Sequence, residues 1–471
     1  LLIVLIMTSA IGAVGSRASP SRPIAGVKWF KMWGGDNWEE GFSVAYDGSY
    51  VYLVGSTESY GSGNSDVFIA KYDRDGNLIW NVTWGSGDKE YGYGIAVDEN
   101  YIYVTGMRQP WYITYIILLK FNKNGEEVWN VTLTKNYDDS AGYSIALDED
   151  VVYVSGKRWG DTAMVFKFSK DDGELLYAVE YSAGIAGYGV AVDDEYVYVT
   201  GITKSHSVFI IKYDKDLNYL TGITWGGEEW DEGRGIAVSG DYVYVTGYTS
   251  SFGSGGDDVF VVKFNRALDV QVWNITWGGT GHDYGWDIAI YSECLYITGY
   301  TDSYGYGGYD ILLISLSEEG VLYFNRTWGG TGNDYGYGVS CGGSIYVAGV
   351  TESFMQSSSQ AVLVRFEEPI VRYWRYLEGN YNDYLYDVEC NGSYVYAVGA
   401  SYVNSSHGYD VALLKYDLSG NLIWNVTWGG AGADIGYGVD VCGDYVYVAG
   451  EGEGGNVITL KFDHDGGLVW A

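Results

Sequence analysis

Between Gly55 and Gly450 this chain repeats one phrase nine times. Each copy reads roughly GYGIAVD…YVYVTGYT…DVFVVKFD…GNLIWNVTWGG, with marker glycines at Gly55, Gly106, Gly156, Gly201, Gly247, Gly299, Gly349, Gly399 and Gly450. Successive markers lie 51, 50, 45, 46, 52, 50, 50 and 51 residues apart. A repeat of about 40–50 residues holding four short β segments is the signature of propeller blades. The expected fold is therefore all-β: a single β-propeller of nine four-stranded antiparallel blades over residues 27–471.

Each segment has a place in such a blade. The glycines of GYGIAVD (residues 92–98) suit an innermost strand, where blades crowd the axis. YVYVTG (242–247) alternates aromatic and β-branched residues, and DVFVVKF (258–264) is apolar until its Lys, as a doubly covered strand requires. In LIWNVTW (78–84) the period of two puts Leu78, Trp80, Val82 and Trp84 on one face. Asp-Gly and Ser-Gly turns join the third and fourth segments. One blade alone cannot bury these faces, so Trp80, Trp129, Trp273 and Trp424 are expected at blade-to-blade contacts.

Ring closure has its own clue. VKWFKMW (27–33) aligns with a fourth segment but precedes the first full unit, and the chain ends inside another fourth segment, GGLVWA (466–471). The N-terminal strand is thus expected to complete the last blade and remove an open edge. Weakened units around 133–144 and 181–189 leave an irregular ring, or two arrays, as the alternative.

The charge narrows the partners. With 61 acidic against 27 basic residues the net charge is −34, a field that repels phosphate backbones and anionic lipid. Nucleic acid is excluded on that ground; a protein or glycan surface partner is compatible. Residues 1–14, LLIVLIMTSAIGAV, are too short an apolar run for a span and fit a signal-peptide core, so residues 1–20 read as an export signal or an N-terminal anchor. No other stretch predicts a membrane span. Export places the chain outside the cell or on its surface, where pairing of Cys294, Cys341, Cys390 and Cys442 and their survival as buried thiols are both open. No Cys/His spacing suggests zinc.

The runs WGGTGNDYGYGVS (328–340), IYVAGVTES (345–353) and GGDDVFVVKFN (255–265) resemble the SBBP β-propeller repeat of bacteria and archaea, over nearly the whole chain after residue 27. The resemblance implies a secreted or cell-surface propeller and carries over no catalytic residue. Nine units depart from the seven blades for which that family is named.

Candidate sites follow from repetition. An acid stands just before the inner strand as Glu39, Glu90, Asp231, Asp283, Asp334, Asp383 and Asp434. Near the axis such carboxylates would line a ligand funnel; capping of their own turns is the structural alternative. A second set, Asp66, Asp161, Asp258, Asp310 and Asp410, opens the third strand after Gly/Ser-rich loops, without a calcium-loop array. Sequons place Asn81, Asn130, Asn274, Asn325 and Asn425 at one position of the fourth strand, with Asn391 and Asn404 elsewhere, as candidate N-glycosylation sites. His206, His282, His407 and His464 share no position, and no hydrolase, metalloprotease or phosphate-loop motif is present. No cofactor is called for; the acids could gather a cation such as calcium, but no motif supports one.

The expected function is a non-enzymatic binding or structural scaffold in adhesion, envelope architecture or carbohydrate recognition. The alternative is a secreted polysaccharide hydrolase or lyase using funnel carboxylates. The stretches RQPWYITY (108–115) and EEPIVRYWRYLEGN (367–380) break the repeat most clearly, and recognition is expected where copies disagree.

Overall fold

The computed structural model describes residues 26–471 apart from 135–136, 159, 355–357, 368–383, 391–393, 405–407, 418–421, 431 and 444. Nine four-stranded antiparallel sheets account for the repeat, with no α-helix among the described residues. They fall into two compact units divided after residue 367. Seven sheets belong to the first unit and two to the second.

A strand β1 (Val27–Trp33) precedes blade one, which runs in order from the axis outward as β2 (Glu39–Tyr46), β3 (Tyr50–Thr57), β4 (Asp66–Asp73) and β5 (Leu78–Trp84). Burial follows the residue pattern. The middle strands β3 and β4 are covered on both faces, whereas β5 alternates exposed and half-buried positions. The same order recurs in residues 89–132, 141–181, 184–225, 231–277 and 283–328, blades two to six. The two weakened units are therefore complete blades.

Blade seven supplies three strands of its own between residues 334 and 366, and its fourth is β1. The pairing runs antiparallel from Trp33 opposite Ala361 to Phe30 opposite Val364 and Val27 opposite Phe366. The N-terminal strand thus completes the seventh sheet. The ninth sheet, its expected partner, holds its own short fourth strand, Leu468–Trp470.

Seven apolar cores, each shared by two consecutive blades, connect the first unit. The seventh joins Trp33, Tyr346 and Leu363 of blade seven to Leu53, Phe68 and Tyr72 of blade one. The circuit closes there.

Polar latches repeat the circuit. In blades one, two and five the third-strand Lys and fourth-strand Trp donate to one carbonyl in the next blade's outer turn. Lys71 Nζ and Trp80 Nε1 bond to the Lys123 oxygen at 3.0 and 3.2 Å, and Lys263 and Trp273 to that of Glu318 at 2.7 and 3.0 Å. At the seam Arg365 and Trp29 bond the Arg74 oxygen at 2.7 and 3.1 Å, the same grip, with Arg365 lying 291 residues from Arg74 in sequence. Each latch Lys also sits over a tyrosine ring, such as Lys71 at 3.9 Å from the centre of Tyr50. The repeated tryptophans are thereby packing residues.

In the second unit, residues 384–428 and 435–470 form blades eight and nine around one further shared core. Lys415 and Trp424 grip the His464 oxygen at 2.8 and 3.1 Å, the same latch.

Candidate functional site: the axis and loop face of the first unit

Closure brings the seven inner strands of the first unit to one axis, where the repeat becomes a set of layers. The acid before each strand comes first. Glu39, Glu90, Asp231, Asp283 and Asp334 are fully buried and Asp434 nearly so. They turn toward their own blades and incoming loops, and Glu39 also accepts from the Gln360 amide of blade seven at 3.1 Å. Asp283 accepts the Gly279 N–H at 2.9 Å and the Ser303 hydroxyl at 2.7 Å, and it takes the Thr301 hydroxyl as well. Asp231 and Asp334 repeat this with Gly227 and Gly330, and Glu39 with Gly35. These carboxylates tie the incoming loop to the blade, and none opens onto a funnel. Asp383 lies outside the described residues. The second set behaves alike: Asp66, Asp258 and Asp310 accept N–H groups from Ser62, Ser254 and Tyr306 of their own loops. Burial pushes the Asp310 carboxyl up to about 7, with Asp334 nearby adding to it.

One residue further on, alternation turns the side chain to the axis. Here stand Glu40, Tyr91, Ala141, Ala186, Glu232, Tyr284 and Tyr335, paired with the second strand beside the marker glycines. The marker glycines exist for this contact: a Cβ at Gly299 would collide with the Tyr284 carbonyl oxygen, and one at Gly247 with that of Glu232.

Two residues beyond, Phe42, Tyr93, Tyr143, Tyr188, Arg234, Trp286 and Tyr337 form a closed diaphragm. Ring centres lie 5.3 Å apart for Tyr143–Tyr188, 5.7 Å for Tyr93–Tyr143, 5.1 Å for Phe42–Tyr93, 5.8 Å for Phe42–Tyr337 and 5.2 Å for Trp286–Tyr337. Arg234 fills the remaining gap, its guanidinium 4.0 Å from the centre of Tyr188 and 4.1 Å from that of Trp286. Glu232 forms an ion pair with it. Burial disfavours the Arg234 charge, and Glu232 and the neighbouring tyrosines more than offset that. Burial also pushes the Tyr143 hydroxyl up to about 12, and those of Tyr93, Tyr188 and Tyr337 are raised too.

Against the diaphragm lies an axial cavity of about 530 Å³, walled by these seven side chains and by Ser43, Ser144, Asp287 and the strands behind them. Asp287 accepts the Val339 N–H of the next blade at 2.9 Å, and burial pushes its carboxyl up to about 6.

The mouth is not symmetric. Blades five and six alone in this unit place a tyrosine opposite the mouth residue, Tyr248 and Tyr300. Tyr248 donates to Glu232 at 2.7 Å, and Tyr284 donates to Asp257 at 2.8 Å. Tyr300 touches Tyr284, Trp286, Tyr309, Tyr335 and Tyr337 at 4.8–6.2 Å. His282 Nδ1 lies 3.0 Å from Asp257. Burial opposes the Asp257 charge, but bonds from Ser250, Tyr284 and His282 hold its carboxyl below the ordinary range. The result is a wall of aromatic faces and carboxylate acceptors on one side of the axis.

In a four-stranded meander the loops between strands two and three, and those between blades, share the edge where inner strands begin. Trp38, Tyr60, Trp111, Tyr112, Trp230, Phe252, Tyr304 and Tyr306 all occupy such loops and are exposed. Trp111 and Tyr112 are 90 % and 92 % exposed at the tip of the RQPWYITY loop, so that departure from the repeat is an aromatic finger. The stretch 367–380 lies almost wholly outside the described residues. Asn81, Asn130, Asn274, Asn325 and Asn425 are exposed on the outermost strands, whereas Asn391 and His407, and the side chain of Asn404, lie outside the described residues.

Arg234, Trp286, Tyr248 and Tyr300 were not singled out by sequence. The signal was one letter: EGRGIAV at residues 232–238 puts Arg where EYGYGIAV at 90–97 has Tyr.

No family model matches the chain, and no curated protein matches it. Solved structures do. The WD40 β-propeller domain of Doa1 aligns at TM-score 0.48 and 14 % identity, covering 72 % of this chain and 96 % of that one. A chain of a mitotic checkpoint complex aligns at TM-score 0.50 and 9 % identity, covering 78 % and 100 %. At such identities the likeness concerns fold alone, and the chain is an all-β protein of nine four-stranded propeller blades.

Proposed function

We propose that this protein is a secreted or cell-surface propeller of the SBBP repeat type that binds neutral carbohydrate through the loop face of its seven-bladed unit. The observation that carries this reading is the set of exposed aromatics on the loop face, most of them in Gly/Ser-rich loops. Rigid aromatic faces stack on sugar rings, and small polar loop residues supply adaptable hydrogen bonds. Asp257, partly exposed and already held by the Tyr284 hydroxyl, can accept further bonds from sugar hydroxyls at the mouth. The negative charge disfavours anionic polymers and leaves uncharged glycans compatible. The repeated acids Asp231, Asp283 and Asp334 are consumed by turns, which favours binding over hydrolysis.

The test is retention of the full chain on a panel of neutral polysaccharides, with release of reducing ends followed in the same tubes. Retention without release is expected, and it should be lost in the doubly substituted Trp111→Ala/Tyr112→Ala variant. Release of new ends would replace the scaffold reading with the hydrolytic one.

A further inference from the structure

The outermost strand of every blade bonds to a neighbour on one side only, so its other edge presents free backbone donors and acceptors. In blades one, two, five and eight that strand is a short, uncharged or nearly uncharged, β-prone segment with an apolar residue turned outward: Ile79, Val128, Val272 and Ile423, each about half exposed. Such edges invite pairing with other chains.

Three of the four blades without a sequon differ on the same strand, whereas the fourth, blade nine, leaves Leu468 and Val469 about half exposed. In blade seven Lys28 takes the place of Ile79, and Lys31 follows on the same strand. In blade three Ala178 takes the place of Asn81, and Glu180, paired with Arg158, stands where blade one has Thr83. In blade four Gly222, a poor strand residue, takes the Asn81 position. Packing therefore does not require asparagine here, and asparagine is itself disfavoured in strands. Yet blades one, two, five, six and eight all carry it, exposed, with Thr two residues on.

We infer that Asn81, Asn130, Asn274, Asn325 and Asn425 carry N-linked glycans that shield the blade edges. The inference rests on the export part of the proposed function. In the transfer, each Asn Nδ2 forms a bond to C1 of a sugar supplied by a polyprenyl-phosphate-linked oligosaccharide. The C1–O bond to phosphate breaks, the amide loses one proton, and the polyprenyl phosphate carrier leaves. A bulky hydrophilic chain on the outward face of the strand then keeps a second strand from the open edge.

The experiment is glycopeptide mapping of the protein recovered from its source, with light scattering of the parent and of two five-site variants, all Asn→Gln and all Asn→Lys. Glycan mass on the five peptides is expected. The Asn→Gln variant should self-associate, with about a doubling or more of apparent molar mass as concentration rises, and the Asn→Lys variant should stay monodisperse because lysine guards an edge without sugar. Unmodified asparagines on exported protein, or an Asn→Gln variant as monodisperse as the parent, overturn the inference while leaving the carbohydrate-binding reading intact. Protein retained inside the cell overturns the export reading together with it.

Discussion

Replacing Trp33 by Ala should loosen the first unit at its seam. Trp33 is 5 % exposed on β1 and stacks on Phe68 of blade one, centres 4.0 Å apart and planes 18° apart. An aromatic side chain hides about 150–250 Å² on folding. At about 25 cal/mol per Å² that gives about 4–6 kcal/mol as an upper bound. Large-to-small core replacements of tryptophan cost about 3–5 kcal/mol, which is the loss expected here. Trp470 is the control: it occupies the corresponding strand of blade nine, is 44 % exposed, and its loss should cost under about 1 kcal/mol. With 18 tryptophans, fluorescence cannot locate the damage. Hydrogen exchange can, read at the amides of β1 and its partner Gln360–Phe366 under increasing urea. Trp33→Ala should expose both strands early. Equal costs for the two substitutions, or unprotected β1 amides in the parent, would refute closure at blade seven.

Three further outcomes follow from the site. Arg234→Ala leaves Glu232 buried without its cation and opens the diaphragm, so stability should fall by about 3–5 kcal/mol; adding Glu232→Gln should recover part of it, as read by denaturant midpoint. Asp310 carries a carboxyl whose folded pKa, about 7, lies above that of the unfolded chain, so the fold prefers it protonated and loses stability as pH rises from about 4 through 7. Asp310→Asn should match the parent near pH 4 and exceed it by about 1–3 kcal/mol at pH 8, and a variant weaker at pH 8 would contradict this. Gly299→Ala drives a methyl into the Tyr284 carbonyl and should cost several kcal/mol, about 2–4, whereas Gly430→Ala, with open space at its Cβ, should be nearly neutral in thermal unfolding.

Much of this fold is legible in the repeat. Alternation in LIWNVTW predicts the half-covered outer strand, and the apolar run of DVFVVKF predicts the doubly covered one. The seam was harder to read. VKWFKMW is recognisable as a stray fourth strand, but its partner is identified by a gap: the seventh unit runs from its third strand into EEPIVRYWRYLEGN with no fourth segment. Following chain ends points to the ninth unit, whereas the missing strand and the seam latch of Arg365 and Trp29 point to the seventh.

The site was less legible, because it belongs to no single blade. Glu39 and Glu40 are neighbours in sequence, yet the pleat buries the first in its turn and turns the second to the axis. The diaphragm takes one residue from each of seven blades, and its members meet only after closure. Arg234 is then conspicuous, bridging Tyr188 and Trp286 where a phenol or phenyl ring would otherwise continue the circle.

The most direct test of the functional account is the affinity of the full chain for neutral polysaccharides, compared between the parent and the Trp111→Ala/Tyr112→Ala variant. Both side chains are about nine-tenths exposed, so the variant should fold as the parent does. Stacking losses of about 0.5–1.5 kcal/mol per ring, about 1–3 kcal/mol for the two, predict a drop in affinity of about five-fold or more, with no release of reducing ends by either protein. Undiminished binding by the variant, or no binding by the parent to any member of the panel, would contradict the account.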